Sequence, residues 1–261
     1  MALSHPTKPT DPDQACAPMA GLEYHDATSS HHQQKHRHLR AQLLYCRQGL
    51  YEVEINKRFF LVPPTSAVWI PADVLHCGFS AKTVHFQSLY FDSHYFSSLP
   101  NEVAVLRVSS LFKELIQRAI TFSWDYKENS TEARLAAVIA DEIQRSKAEP
   151  YHLPLSPHPT LRQVRRYLLD NLESKPNSTA VATKHHISNK TLNRLCQREI
   201  GMTFEQWRQQ IKLLHAIGLL AQGHSTTFVA QSLGYSHDSA FIYMFKQQTG
   251  KPPSEFIKSL R

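Results

Sequence analysis

The sequence has no Cys-x-x-Cys pair. Its four cysteines, Cys16, Cys46, Cys77 and Cys196, stand far apart, which fits neither a zinc ribbon nor a disulfide framework. Cys77 beside His76 could serve as a redox sensor, although a buried strand thiol is the expected role. No apolar run reaches the length that spans a bilayer. The N-terminus, rich in Pro, Ser, Thr and Asp, lacks the apolar core of a signal peptide, so a cytoplasmic chain with a disordered tail over residues 1–34 is expected. Acidic charge is scarce in one region only. From Thr160 onward, 14 Lys and Arg stand against 6 Asp and Glu, whereas residues 1–159 carry 15 against 16. The excess positive charge therefore belongs to the C-terminal part and points to a polyanionic partner, with a solvated basic face as the plainer alternative. No catalytic constellation stands out. With 261 residues, the chain is long enough for two modest cores.

What the C-terminal part does contain is a repeat. Ala182-x-x-x-His186-Ile187-Ser188 returns as Ala230-x-x-x-Gly234-Tyr235-Ser236 at an offset of 48, and beyond the turn Leu192 and Cys196 match Phe241 and Phe245 at 49. The second turn thus carries one extra residue. Each copy reads as a short helix packed through its alanine, a turn, and a second helix with apolar residues one turn apart. The free face of that second helix offers Asn189, Lys190, Asn193, Arg194 and Gln197 in the first copy. In the second it offers His237, Asp238, Ser239, Ile242, Tyr243 and Lys246. Amide side chains suit adenine edges, Arg and Lys suit guanine, and Ile or Tyr can meet a thymine methyl. Between the copies, Thr203 and Gln206 fit a capping box that opens a long helix. Its apolar stripe is Phe204, Trp207, Ile211, Leu214, Ile217 and Leu220, so it is expected to act as a rigid spacer.

These segments, with Gly201-Met202-Thr203-Phe204, Ser239-Ala240-Phe241, Phe245-Lys246 and Gly250-Lys251-Pro252-Pro253, resemble the DNA-binding domain of AraC/XylS transcription regulators. The resemblance runs from about Leu161 to the C-terminus. It implies two helix-turn-helix units over residues 160–261, with the free faces as base readers. His186 replaces the usual turn glycine and Cys196 the usual Phe, so the first unit is expected to bind the more loosely.

Upstream, residues 151–159 hold three prolines and read as a semi-stiff linker. Residues 35–150 read as a sensor and candidate dimerisation domain. Gln42–Tyr45, Tyr51–Ile55, Phe59–Val62, Ala67–Ile70 and Val84–Phe91 are rich in β-branched and aromatic residues, and an antiparallel barrel is their natural closure. Helical spacing follows over Leu111–Trp124 and Thr131–Arg145. His36-x-His38-x-x-x-Gln42, then Gly49, then Pro71-x-Asp73-x-x-His76 resembles the two cupin motifs, with Gln42 in place of Glu and Asp73 in place of Gly. His36, His38 and His76 would offer three imidazoles to a divalent cation such as zinc, nickel or iron. Alternatively the pocket takes an organic ligand, and His36 belongs with His31 and His32 to a solvated His-rich run.

The expected fold class is therefore α+β, a cupin-like barrel with two helices followed by an all-α domain. The expected function is a sequence-specific regulator that binds double-stranded DNA and answers to a small-molecule effector. No cofactor is required by that reading, and a divalent metal ion in the cupin-like pocket is the one candidate. The resemblance also implies a homodimer, with Leu135, Val138 and Ile139 as contact candidates, and RNA polymerase as a further partner. Ala67-Val68-Trp69-Ile70-Pro71-Ala72 resembles regulators encoded beside efflux transporters, which implies repression of a neighbouring transporter gene. The alternatives are a metal-dependent cupin enzyme with a DNA-binding appendage and an architectural DNA binder without an effector.

Overall fold

Strand after strand in the N-terminal half alternates which way its apolar side chains point, and two facing sheets result. A computed structural model describes residues 11–24, 34–48, 51–56, 58–79, 85–146, 153–174 and 176–258. Its strands are β1 (Met19–Tyr24), β2 (Ala41–Gln48), β3 (Tyr51–Ile55), β4 (Arg58–Val62), β5 (Ser66–Ile70), β6 (His76–Phe79), β7 (His85–Phe91), β8 (Ala104–Arg107) and β9 (Leu153–Leu155). One sheet runs β1-β7-β2-β5-β8 and the other β6-β3-β4-β9, with antiparallel pairing throughout. Leu43 and Leu44 show the logic of period two. Leu44 and its partner Val68 face the second sheet and pack with Tyr51, Val53 and Val62. Leu43 and its partner Trp69 face the other way, onto α1 (Ser110–Ala119) and α2 (Thr131–Arg145), through Phe112, Ile116, Ile139 and Ile143.

Two expectations about the chain's margins need correction. The disordered tail assigned to residues 1–34 gives way over Met19–Tyr24 to β1, which pairs along its whole length with β7. Arg40 secures the entry by donating to the carbonyls of Ala15 and Ala17 at 2.6 and 2.9 Å. His31 and His32, the rest of the His-rich run, and Gly49 lie outside the described residues. The linker assigned to residues 151–159 contains β9, whose Leu153 and Leu155 pair with Leu61 and Phe59 of β4. Proline is tolerated there because β9 is an edge strand. The first of the two helices ends at Ala119 rather than running to Trp124, whereas the second has the expected bounds.

The C-terminal part is helical: α3 (Pro159–Asp170), α4 (Ser178–Lys184), α5 (Asn189–Ile200), α6 (Phe204–Ala221), α7 (Thr226–Ser232), α8 (Asp238–Thr249) and α9 (Pro253–Lys258). The capping box of α6 forms with both of its hydrogen bonds. All six residues of its expected stripe are buried, and so are Leu213 and Ala216. A helix buried on more than one side is the central post of its domain. No helix among the described residues is long and apolar enough to cross a membrane.

The two halves meet through specific contacts. Leu153 of β9 is fully buried among the helices of the C-terminal core. Arg165 of α3 donates from Nε to Glu52 Oε1 of β3 at 2.8 Å and from Nη2 to Oε2, and both side chains are buried. Ser156 donates to Glu199 of α5 at 3.2 Å.

Candidate nucleic-acid interface and sensor site

The repeated turn chemistry has a repeated geometry. In the first unit Ile187 N–H donates to the Ala182 carbonyl at 3.0 Å and His186 N–H to Thr183 at 3.1 Å. In the second, Tyr235 donates to Ala230 at 2.9 Å and Gly234 to Gln231 at 2.8 Å. The turn residue is left-handed in both, with φ of 55° at His186 and 73° at Gly234. Gly234 could not carry a side chain, because a Cβ there would lie 1.9 Å from the Glu173 carbonyl oxygen. His186 can adopt this backbone at a modest energetic cost. The extra residue of the second turn appears as a later helix start. Ser188 caps α5 by accepting from Thr191 N–H, whereas α8 starts after His237, which makes no side-chain cap.

Buried anchors Leu192 and Cys196 hold α5, and Phe241 and Phe245 hold α8. Burial raises the Cys196 thiol to about 11, so this smaller anchor behaves as an apolar group. Of the eleven expected base readers, Asn189, Lys190, Arg194, Gln197, His237, Ser239, Tyr243 and Lys246 are exposed. Three are occupied within the chain. Asn193 donates to Asn189 and accepts from Phe204 N–H at 3.3 Å, tying α5 to the start of α6. Asp238 accepts from Thr227 at 2.5 Å, which joins α8 to α7. Ile242 packs against the core.

The positive charge is also less free than its count implies. Lys212 is buried on α6, where it donates to the Leu233 carbonyl at 2.9 Å and lies 5.7 Å from the Tyr235 ring centroid. Arg165 faces Glu52 rather than solvent. Nothing in the sequence separates these two cations from the ones left on the surface, because only tertiary packing decides it.

In the N-terminal domain the three histidines converge. His36 and His76 sit opposite each other in a two-way backbone bridge, N–H to carbonyl at 2.9 and 3.0 Å. Asp73 has the left-handed φ of 60° expected of a residue in a glycine's place, and its N–H donates to the His38 carbonyl at 2.9 Å. That turn brings His76 beside His38. One ring nitrogen from each of the three lies within 4.8 Å of the others.

Each imidazole is fixed in the same way. Nδ1 meets a backbone carbonyl two residues away: Gln34 for His36 at 3.0 Å, Arg40 for His38 at 2.5 Å and Val74 for His76 at 2.8 Å. A carbonyl can only accept, so Nδ1 carries the proton and Nε2 is left with the lone pair. Such outer hydrogen bonds orient metal-binding histidines. Burial lowers the His38 pKa, favouring the neutral ring that a cation needs. Three neutral imidazoles so oriented are a donor set that would suit a divalent ion such as zinc. A cavity of about 240 Å³ lined by Lys35, Glu54, Asn56 and Leu75 opens beside His76. Cys77 is buried, donates to Glu54 at 3.6 Å, and has its pKa raised to about 11 by that burial, so it is an inert strand thiol rather than a reactive one.

Of the residues offered for a dimer contact, Ile139 is fully buried in the domain's own core. It is unavailable to a partner. Leu135 packs partly against that core, and Val138 is 46% exposed on α2.

Comparison with known proteins gives two family matches, which overlap in the first helix-turn-helix unit. A family model described as an AraC-like ligand binding domain matches residues 19–186, and one described as a helix-turn-helix domain matches residues 181–259. The chain is 30% identical over 225 residues to the HTH-type transcriptional regulator NimR of Escherichia coli (strain K12), covering 86% of this chain and 82% of that one. It is 22% identical over 220 residues to the HTH-type transcriptional regulator RipA of Corynebacterium glutamicum, covering 83% and 61%. Among solved structures, ToxT from Vibrio cholerae is similar over 94% of this chain and 99% of that one, at 9% identity and a TM-score of 0.39. With a ligand-binding domain built on two sheets and a second domain built on two helix-turn-helix units, the chain belongs to the AraC family of DNA-binding transcription regulators.

Proposed function

We propose that this regulator senses a divalent cation through His36, His38 and His76, and that the ion changes how α5 and α8 engage an operator. The observation that carries the reading is the shared arrangement of the three imidazoles. Each is turned by its own backbone carbonyl so that Nε2 holds a lone pair, and the three rings meet in one cluster. A solvated histidine run has no reason to fix three tautomers alike. When bound, the ion supplies positive charge and ties the segment around His36 to β6, which pairs with β3. The chain's own residues do the rest, since β3 also carries Glu52, the partner of Arg165 in the DNA-binding domain.

On this reading the protein is a cytoplasmic homodimer that represses a neighbouring transporter gene, with RNA polymerase as the machinery its operator occupancy affects. Relatives that carry regulator names favour this over a metal-dependent enzyme with a DNA-binding appendage. Footprinting of genomic DNA gives the operator and its neighbouring gene. Elemental analysis of purified protein is expected to find about one divalent metal per chain, retained after replacement of His31 and His32 and lost in His76→Ala. Absence of metal, or its loss with His31 and His32, overturns the cation reading and makes the pocket an organic-ligand site.

A further inference from the structure

Gln42 of β2 meets His38 at the nitrogen a cation would take. One end of the Gln42 amide lies 3.2 Å from His38 Nε2. The other end lies 2.8 Å from Ser88 Oγ and 3.4 Å from the Tyr90 hydroxyl. His38 Nδ1 donates to the Arg40 carbonyl, so Nε2 is an acceptor, and an acceptor cannot bond to an amide oxygen. Amide nitrogen and oxygen are nearly identical in shape, and their order follows from their partners. The NH2 group therefore donates to His38, while the oxygen accepts from the Ser88 hydroxyl, with the Tyr90 hydroxyl packed beside it. Gln42, Ser88 and Tyr90 are all buried, so the amide is held in this orientation by groups that have no water to turn to.

We infer that Gln42 determines which cations the site takes, by keeping its ligand set uncharged and by holding the His38 lone pair until an ion displaces it. This rests on the reading that the three imidazoles bind a divalent cation. Three neutral nitrogens leave a bound dication its full charge, so binding depends on the strength of the metal–imidazole bond. That strength rises along the first-row series from Mn2+ towards Cu2+, and Zn2+ stands well above Mn2+ in its taste for imidazole. The carboxylate beside the cavity does not alter the balance, because Glu54 is already engaged by Lys35 at 2.5 Å and by Cys77. The site should accept late transition cations and refuse hard ones that require anionic oxygen. Release of His38 by Gln42 is part of each binding event, which keeps the affinity in a reversible range.

The test titrates metal-free wild type, Gln42→Glu and Gln42→Leu with Zn2+ and with Mn2+ against a chromophoric chelator, after thermal melts confirm folding. Wild type is expected to prefer Zn2+. Gln42→Glu adds an anionic ligand that favours the harder ion more, so the Zn2+-to-Mn2+ affinity ratio should shrink by about tenfold or more. Gln42→Leu keeps the site neutral and removes the competitor for His38, so Zn2+ should bind at least as tightly as in wild type with the ratio unchanged. A ratio unmoved in Gln42→Glu overturns the inference. So does a loss of about tenfold or more in Zn2+ affinity in Gln42→Leu, which would make the amide a ligand; this second readout decides the matter if Gln42→Glu does not fold. If the wild type takes up neither ion, the cation reading itself fails and Gln42 loses its role with it, whereas ion uptake with an unmoved ratio removes only the role of Gln42.

Discussion

Removing the charge of Glu52 should destabilise the protein by about 3–5 kcal/mol. Glu52 and Arg165 are each 7% exposed and meet through two hydrogen bonds. Two unit charges about 3 Å apart attract by about 5–6 kcal/mol at an effective dielectric of about 20, and the desolvation of Arg165 remains whether or not its partner is charged. Arg165 Nη1 has no hydrogen-bond partner among the described residues, so Glu52→Gln adds to a guanidinium that is already incompletely satisfied. Arg165→Met should cost a similar amount by stranding the carboxylate. The double variant Glu52→Gln, Arg165→Met removes both charges and should return to within about 1 kcal/mol of wild type. Urea unfolding at neutral pH, followed by far-ultraviolet circular dichroism, measures all four proteins. A single substitution costing under about 1 kcal/mol, or two costs that simply add, would refute the claim that these charges form one buried unit.

Arg194→Ala and Tyr243→Ala should each weaken operator binding by about 1–3 kcal/mol and relax preference at different base pairs; equal weakening on all sequences, measured by competition binding, would remove both from the base readers. Gly234→Ala should destabilise by more than about 2 kcal/mol, because it combines a left-handed φ with a collision against the Glu173 carbonyl. His186→Gly at the equivalent turn relieves a left-handed side chain and should stabilise by up to about 1 kcal/mol, so thermal melts moving the same way in both variants would sink the equivalence of the two turns.

Elements whose identity is local could be read from the sequence. Thr203 and Gln206 mark the start of α6, and the spacing from Phe204 to Leu220 gives its buried side, because capping and helical periodicity need no distant partner. The paired turns around His186 and Gly234 were equally readable, and so was the one-residue shift before α8. What escaped depends on a partner far along the chain. β1 lies in a compositionally polar stretch and is ordered by β7. β6, written His-Cys-Gly-Phe, has no β-branched residue, and β9 contains Pro154. The site divides in the same way. His36 and His38 announce themselves by spacing, yet only the Asp73 turn delivers His76 to them. Asn193 and Lys212 look like surface polar residues until packing gives them partners inside the domain.

Only Ser156, Pro157 and His158 separate the end of β9 from the start of α3, and β9 is itself a strand of the sensor sheet. A tethered reading head would sample many angles, and its reach would follow the length of its tether. This one is mounted. Its pose on the sensor is a property of the folded chain, so an operator is matched not only by its bases but by the angle at which they are offered. Any signal from the sensor must then act by loosening or tilting the mount. Flexible residues inserted after Ser156 would convert a positional signal into a loss of memory between the halves, with DNA still bound and the effector no longer heard.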